Sequence, residues 1–218
     1  MLIQPVIMEI LGIVVMEIEK MVVKQALVKA LIVASSAIFA VSAQANLIVN
    51  GGFEEATVDG TWSFGNENGW EGDNVEVWDD FGAIGAFEGT KHAELNAHPY
   101  DGTTFSIFQT FSTVVGETYN LFFAYGARSS EKEVFQVDVT GSTAMTMSDH
   151  VVNVWSEYSG TFVATETDTT LRFTSVIPDT GTVGNFLDDV RVTVPEPGSL
   201  ALFGIGLIGL VVARRKAK

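Results

Sequence analysis

Between Asn46 and Val194, apolar side chains recur at every second position rather than every third or fourth. Phe105, Ile107 and Phe111 alternate with Thr104, Ser106 and Thr110. Tyr119, Leu121, Phe123 and Tyr125 share one face of a second run, and Phe135, Val137 and Val139 share a face of a third. Leu171 with Phe173, then Phe186 with Val190, Val192 and Val194, continue the pattern. Period two is the signature of strands that bury one face. Gly-, Asp- and Thr-rich stretches separate these runs, and none of them sustains a helical period. About eight to ten strands in one such region predict an all-β fold, a single jelly-roll β-sandwich over residues 46–194. Residues 59–89, with many Gly, Asn and Trp, are the least regular and are predicted to form long loops at one end. Neither an internal repeat nor a low-complexity linker is visible beyond Pro195–Gly198.

The pattern changes at both ends. Met21, Lys24 and Lys29 mark a short basic start, residues 30–42 are apolar and small, and Ala43-Gln44-Ala45 is an A-x-A cleavage site. This order predicts a signal peptide over 21–45 and a mature protein beginning at Asn46. Residues 1–20 fit poorly, because Glu9, Glu17 and Glu19 precede the basic region. They are an unusual extension, or Met21 is the true start, which is the favoured reading. An uncleaved, membrane-retained N-terminus is the alternative to cleavage.

At the other end, Pro195, Glu196, Pro197 and Gly198 lead into an uncharged run from Ser199 to Ala213, which ends on Arg214, Arg215 and Lys216. Proline and glycine break the preceding strand, and the basic cluster stops translocation on the cytoplasmic side. The run of fifteen residues is short of the roughly 17–25 of a permanent span. Residues 195–218 resemble the PEP-CTERM sorting signal of Gram-negative bacteria, with Pro195, Glu196 and Pro197 as the name-giving tripeptide. The resemblance implies a transmembrane helix over 199–213 that anchors the chain transiently in the inner membrane. It also implies a partner, a membrane protease of the exosortase type that removes the tail, leaving the protein at the cell surface or in extracellular matrix.

Charge sharpens the reading of the middle. Five of the twelve Lys and Arg and 24 of the 27 acids lie within 46–197, so the exported part carries −19 against −15 for the whole chain. Such a field repels nucleic acid and anionic polymers and favours divalent cations and neutral partners. With no cysteine, an exported fold must rely on its core, aided at most by a metal.

Asn46, Asn50, Gly51, Gly52, Phe53 and Glu54 resemble the opening strand of galactose-binding-like jelly rolls, the fold of many carbohydrate-binding modules. Gly69-Trp70, Ala93 to Asn96, Gln109 to Phe111 and Phe186 to Val190 follow in the order of exported members with this tail. If Phe186, Val190 and Val192 face the core, period two puts Asp188 there as well. A lone carboxylate in a core is costly unless it is protonated, hydrogen-bonded or paired with a cation. First and last strands of such folds lie close together, so Glu54 can reach Asp188. Two carboxylates with backbone carbonyls suit Ca²⁺, and the resemblance implies a structural calcium at Glu54 and Asp188. A hydrogen-bonded turn without metal is the equal alternative. Asp189 points outward on this reading and is the weaker ligand.

Trp62, Trp70, Trp78, Tyr100 and Trp155 form a candidate aromatic set. Sugar rings stack their C–H faces on flat side chains, and Trp62, Trp70 and Trp78 lie in the irregular region where ligand-contacting loops sit. Trp70 comes first, because Gly69 leaves room for a ring. Tryptophan is also mostly buried, so at least half of the set is expected in the core, with Trp155 the foremost.

Catalytic patterns are weak. Ser129 and Lys132 have the S-x-x-K spacing but fall in a turn between strands. Adjacent acids such as Asp79-Asp80 point to opposite strand faces. His92, His98 and His150 lack zinc-type spacing. The sequence therefore predicts an exported, tail-processed protein with a non-catalytic, carbohydrate-binding-like domain, whose partner is a neutral glycan or extracellular polysaccharide. The alternative is a structural matrix or biofilm protein without specific glycan binding. A third, weaker option is a glycosidase, which needs two acids facing each other across a cleft.

Overall fold

Alternation in the sequence becomes strand in the structure: β1 Trp62–Gly65, β2 Glu71–Gly72, β3 Val75–Asp79, β4 Lys91–Glu94, β5 Ser106–Ser112, β6 Thr118–Gly126, β7 Val134–Val139, β8 Met145–Met147, β9 Ser156–Val163, β10 Asp168–Ile177 and β11 Phe186–Thr193. This computed structural model describes residues 45–195 other than 80, 82, 99–101, 103, 149 and 180, together with 12, 14–25 and 206. The strands form two antiparallel sheets, a six-stranded one in the order β1-β3-β4-β11-β6-β9 and a five-stranded one in the order β2-β5-β10-β7-β8. The fold is a jelly-roll β-sandwich, as the alternation predicts.

The two inner faces meet in one core. Tyr119, Leu121, Phe123 and Tyr125 of β6 lie in it with Phe135, Val137 and Val139 of β7 and Leu171 and Phe173 of β10. Gln109 takes a core-facing position of β5 and is buried. Its amide imitates a strand partner, accepting from the Val49 N–H at 3.0 Å and donating to the Val49 carbonyl at 2.7 Å. The opening segment thus closes against β5 on one side. On the other it runs along β11, with the Leu47 N–H donating to the Val192 carbonyl at 2.9 Å and the Val190 N–H to the Gly51 carbonyl at 2.9 Å.

Two expectations need correction. The segment 59–89 is not one long loop, since it holds β1, β2 and β3. Its glycines and asparagines mark the turns, while Trp62 and Trp78 face each other across β1 and β3. The second correction concerns β11. Leu187, Val190 and Val192 belong to the main core, whereas Phe186 belongs to a separate cluster with Trp78 and Ile84. The register shifts between Asp188 and Arg191, and Asp189 has a φ of 48°. This bulge inserts one residue and inverts the inward–outward phase of the strand. Asp188 therefore shares the outer face with Phe186, not the core face with Val190. It is nonetheless fully buried, because the loop between β3 and β4 covers it.

Residues 14–25 are helical and belong to a separate unit. Among the described residues no helix is long and apolar enough to cross a membrane. The signal-peptide apolar run, the cleavage site up to Gln44, Glu196, Pro197, the 199–213 run, Arg214, Arg215, Lys216 and Tyr100 all lie outside the described residues.

Candidate functional site on the outer face of the six-stranded sheet

Period two gives the six-stranded sheet a second buried layer on its outer side. Two rows of cross-strand neighbours cross β1, β3 and β4. In one, Phe64 faces Glu76, Glu76 faces Glu94 and Glu94 faces Phe186 of β11. In the other, Trp62 faces Trp78 and Trp78 faces His92. Phe81 lies over this layer, with its ring 4.6 Å from Trp78 and 5.2 Å from Phe186.

The interior of the layer is polar and tightly bonded. Glu94 is fully buried. Its Oε2 accepts from Trp78 Nε1 at 2.9 Å and Arg128 Nη1 at 2.6 Å, and its Oε1 accepts from the Gly184 N–H at 2.6 Å. Burial still outweighs these donors and pushes the Glu94 carboxyl up to about 7. Burial likewise raises Glu76, whose Oε2 accepts from the His98 N–H at 3.3 Å. Arg128 is held in place from behind. The Glu133 carboxylate accepts from the N–H groups of Arg128, Ser129 and Ser130 at 2.9, 2.8 and 2.9 Å and from the Ser129 hydroxyl at 2.9 Å. That web absorbs the S-x-x-K serine. The guanidinium stands 4.9 Å from the Trp78 ring centroid and 5.2 Å from that of Phe81. His92 is fully buried with neither ring nitrogen hydrogen-bonded, and burial pulls it down to about 4.

At the β1 edge the layer opens to solvent. Trp62 is half-buried, and Phe64 (46 % exposed) and His98 are exposed. Trp62 stacks on Phe64 at 6.0 Å and 28° and on His98 at 5.7 Å and 28°. Flat, accessible rings beside polar groups can take the C–H face of a sugar.

The three predicted tryptophans thus part company. Trp62 lies on this accessible row. Trp78 is buried beneath it, its indole N–H committed to Glu94. Trp70 is in the main core, stacked on Phe53 at 5.3 Å and 18°, with its indole N–H donating to the Asn50 carbonyl at 3.1 Å. The expectation that Trp70 faces solvent is corrected. Gly69 has a φ of 82°, and a Cβ there would meet Val49 side-chain atoms at 2.8 Å, so this glycine serves a tight turn against the first segment. Trp155 packs against the outer cluster rather than the main core, and its indole N–H donates to the Gly85 carbonyl at 2.8 Å.

Glu54 and Asp188 converge on one loop. Asp188 Oδ2 accepts from the N–H groups of Phe87 and Glu88 at 2.8 and 3.0 Å, and Oδ1 from that of Asp189 at 2.6 Å. Glu54 Oε1 accepts from the N–H groups of Thr90 and Lys91, both at 2.7 Å. The Lys91 ammonium stands 3.8 Å from Glu54 Oε2. Asp189 turns away into an ion pair with Arg191 at 2.8 Å. Among the described residues no group of three or more His, Cys, Asp or Glu is placed to hold a metal ion. Gly52 does, however, lie among carboxylates: a Cβ there would be 2.9 Å from Glu88 Oε2 and 3.8 Å from Asp188 Oδ1. Asp188 meets only N–H donors, and burial pushes it up to about 7.

Glu76, Arg128 and Phe64 were not singled out from sequence; Glu94 entered only within the Ala93 to Asn96 motif, and His98 only as a histidine without zinc-type spacing. The signal was there in Val75 to Trp78 and His92 to Leu95, where strict alternation sets Glu76 beside Trp78 and His92 beside Glu94.

Comparison with known proteins names the family. DUF642, a family of proteins of unknown function, matches residues 46–193, more than half of the chain. This chain belongs to the DUF642 family. The PEP-CTERM protein-sorting motif matches residues 193–216. That motif marks an exported protein with a C-terminal sorting signal and implies processing by an exosortase. No curated protein matches the chain. Similar solved structures include a family 61 carbohydrate-binding module in complex with β-1,4-galactotriose, 17 % identical with a TM-score of 0.48 over 69 % of this chain and 99 % of that one. A family 35 module from Paenibacillus barcinonensis is 21 % identical with a TM-score of 0.41 over 62 % and 99 %. A family 4 module is 18 % identical with a TM-score of 0.44 over 67 % and 99 %.

Proposed function

We propose that this DUF642 domain is a non-catalytic module that binds a neutral glycan, such as an extracellular polysaccharide, on the open edge of its six-stranded sheet. The observation that carries the reading is the accessible stack of Trp62, Phe64 and His98 on and beside β1. The charge of −19 over residues 46–197 disfavours acidic chains. The sorting tail supports release to the cell surface or matrix after transient anchoring by the 199–213 run. A glycan array probed with the secreted protein, with and without calcium, tests the reading: binding to neutral chains that is lost in Trp62→Ala supports it, and no binding to any glycan overturns it. The alternative, a structural matrix protein, is favoured by the burial of Trp70 and Trp78.

Calcium at Asp188 and Glu54 remains part of this proposal. The Gly52 cradle and a fully buried carboxylate without a cationic partner suit a hard cation. The ion would be held by those two side chains with backbone carbonyls and would supply the missing positive charge.

A further inference from the structure

Glu76 and Glu94 face each other directly across β3 and β4, 2 % and 0 % exposed. As directly opposed cross-strand residues with buried side chains, their carboxyl groups share one pocket. One cation serves both, Arg128 Nη1 standing 2.6 Å from Glu94 Oε2 and 4.0 Å from Glu76 Oε1. Among the described residues, the elements packed against the pair bring no second cation to it. β1 contributes Phe64 and β11 contributes Phe186. The β3–β4 loop contributes Phe81, the segment before β11 the Gly184 N–H, and the segment after β4 the His98 N–H. On the strands themselves, His92 is buried and neutral, and Asp79 and Lys91 face each other at the far end. Glu133 is spent on the N–H groups of the Arg128 turn.

Two carboxylates facing each other in a low dielectric, with one guanidinium for both, cannot both ionise without leaving a net buried charge. We infer that Glu76 and Glu94 act together as one acid holding a single shared proton, and that loss of this proton draws Arg128, already bonded to Glu94, closer to Glu76 and off the Trp78 and Phe81 rings. Burial raises both groups, Glu94 to about 7, so the proton leaves near neutral pH. Trp78 reports the event, because its indole N–H donates to the Glu94 oxygen that also takes Arg128. The inference concerns the pair itself and holds whatever ligand the outer face takes.

The test is a carbon and nitrogen NMR titration of the full chain in mild detergent, from about pH 5 to pH 9, following the Glu side-chain carboxyl carbons, the Trp78 indole N–H and the Arg128 guanidinium. The expected result is one proton lost by the pair with a midpoint near 7, and the same midpoint in the Trp78 and Arg128 signals. In Glu76→Gln the remaining acid faces Arg128 alone, and the midpoint should fall by at least one pH unit. Two carboxyls already ionised at pH 6, a Trp78 signal without a matching inflection, or an unchanged midpoint in Glu76→Gln overturns the inference. The wild-type titration decides the matter even if the variant does not fold.

Discussion

Asp188 and Glu54 hold successive halves of one loop: Asp188 takes the N–H groups of Phe87 and Glu88, and Glu54 takes those of Thr90 and Lys91. This loop covers the outer polar layer, so residues from the opening segment and the last strand secure its lid. Asp188→Ala leaves the N–H groups of Phe87, Glu88 and Asp189 without acceptors and should lower stability by at least about 3 kcal/mol in urea melts, at about 1–3 kcal/mol for each unpaired group. Asp189→Ala, which removes an ion pair with a half-exposed arginine, should cost under about 1 kcal/mol.

Calcium binding at the same pair should raise the melting temperature, with about 2.7 kcal/mol of stabilisation at a hundredfold excess over the dissociation constant. The response should vanish in Asp188→Asn. Identical melting curves in EDTA and in millimolar calcium would leave the two carboxylates as loop caps alone.

Trp62 and Trp70 should separate binding from folding. Trp62→Ala should abolish glycan retention in affinity electrophoresis with the melting temperature little changed. Trp70→Ala opens a cavity beside Phe53 and Phe173 and should cost about 3–5 kcal/mol. Selective loss of binding in a stably folded Trp70→Ala would contradict this division.

Stability should fall as pH rises toward and through 7 in the absence of divalent cations. Asp188 and Glu94 rise from 3.8 and 4.5 to about 7 on folding. The unfolded chain therefore releases these protons first, and every pH step between the two values favours unfolding. His92, lowered from 6.5 to about 4, works oppositely, destabilising the fold as pH drops below 6.5. Its effect fades within about one unit above that value and opposes that of the acids there, so a net fall in denaturant melts between pH 6.5 and 8 reports the acids. A flat or rising profile there would contradict the assignment.

On export, the N-terminus of released protein should be Asn46, checked by terminal sequencing. Replacing Pro195 and Glu196 together by Ala should leave unprocessed protein in the inner membrane fraction, because the apolar run can still insert while the processing enzyme loses its recognition element. Normal release of that variant would make the tail a plain anchor.

By itself the sequence determined the architecture and the address. Period two in β6, β7 and β10 names strands and their buried faces because side-chain direction is local geometry, and the tail reads as a linear signal. That Glu54 and Asp188 meet one loop was suggested not by periodicity but by the resemblance, in which first and last strands lie close together. Only the tertiary structure decided where the polar layer lies. A single bulge at Asp189 moved Asp188 to the opposite face from the one its spacing implies, since one inserted residue inverts a period of two. The β3–β4 register brought Glu76 against Glu94, and the turn after β6 delivered Arg128 from 34 positions away. Trp62 and Trp70, alike as loop tryptophans in sequence, differ because one lies on an edge strand and the other packs between the sheets. Strand order, bulges and lids depend on contacts between distant segments, which local periodicity does not carry.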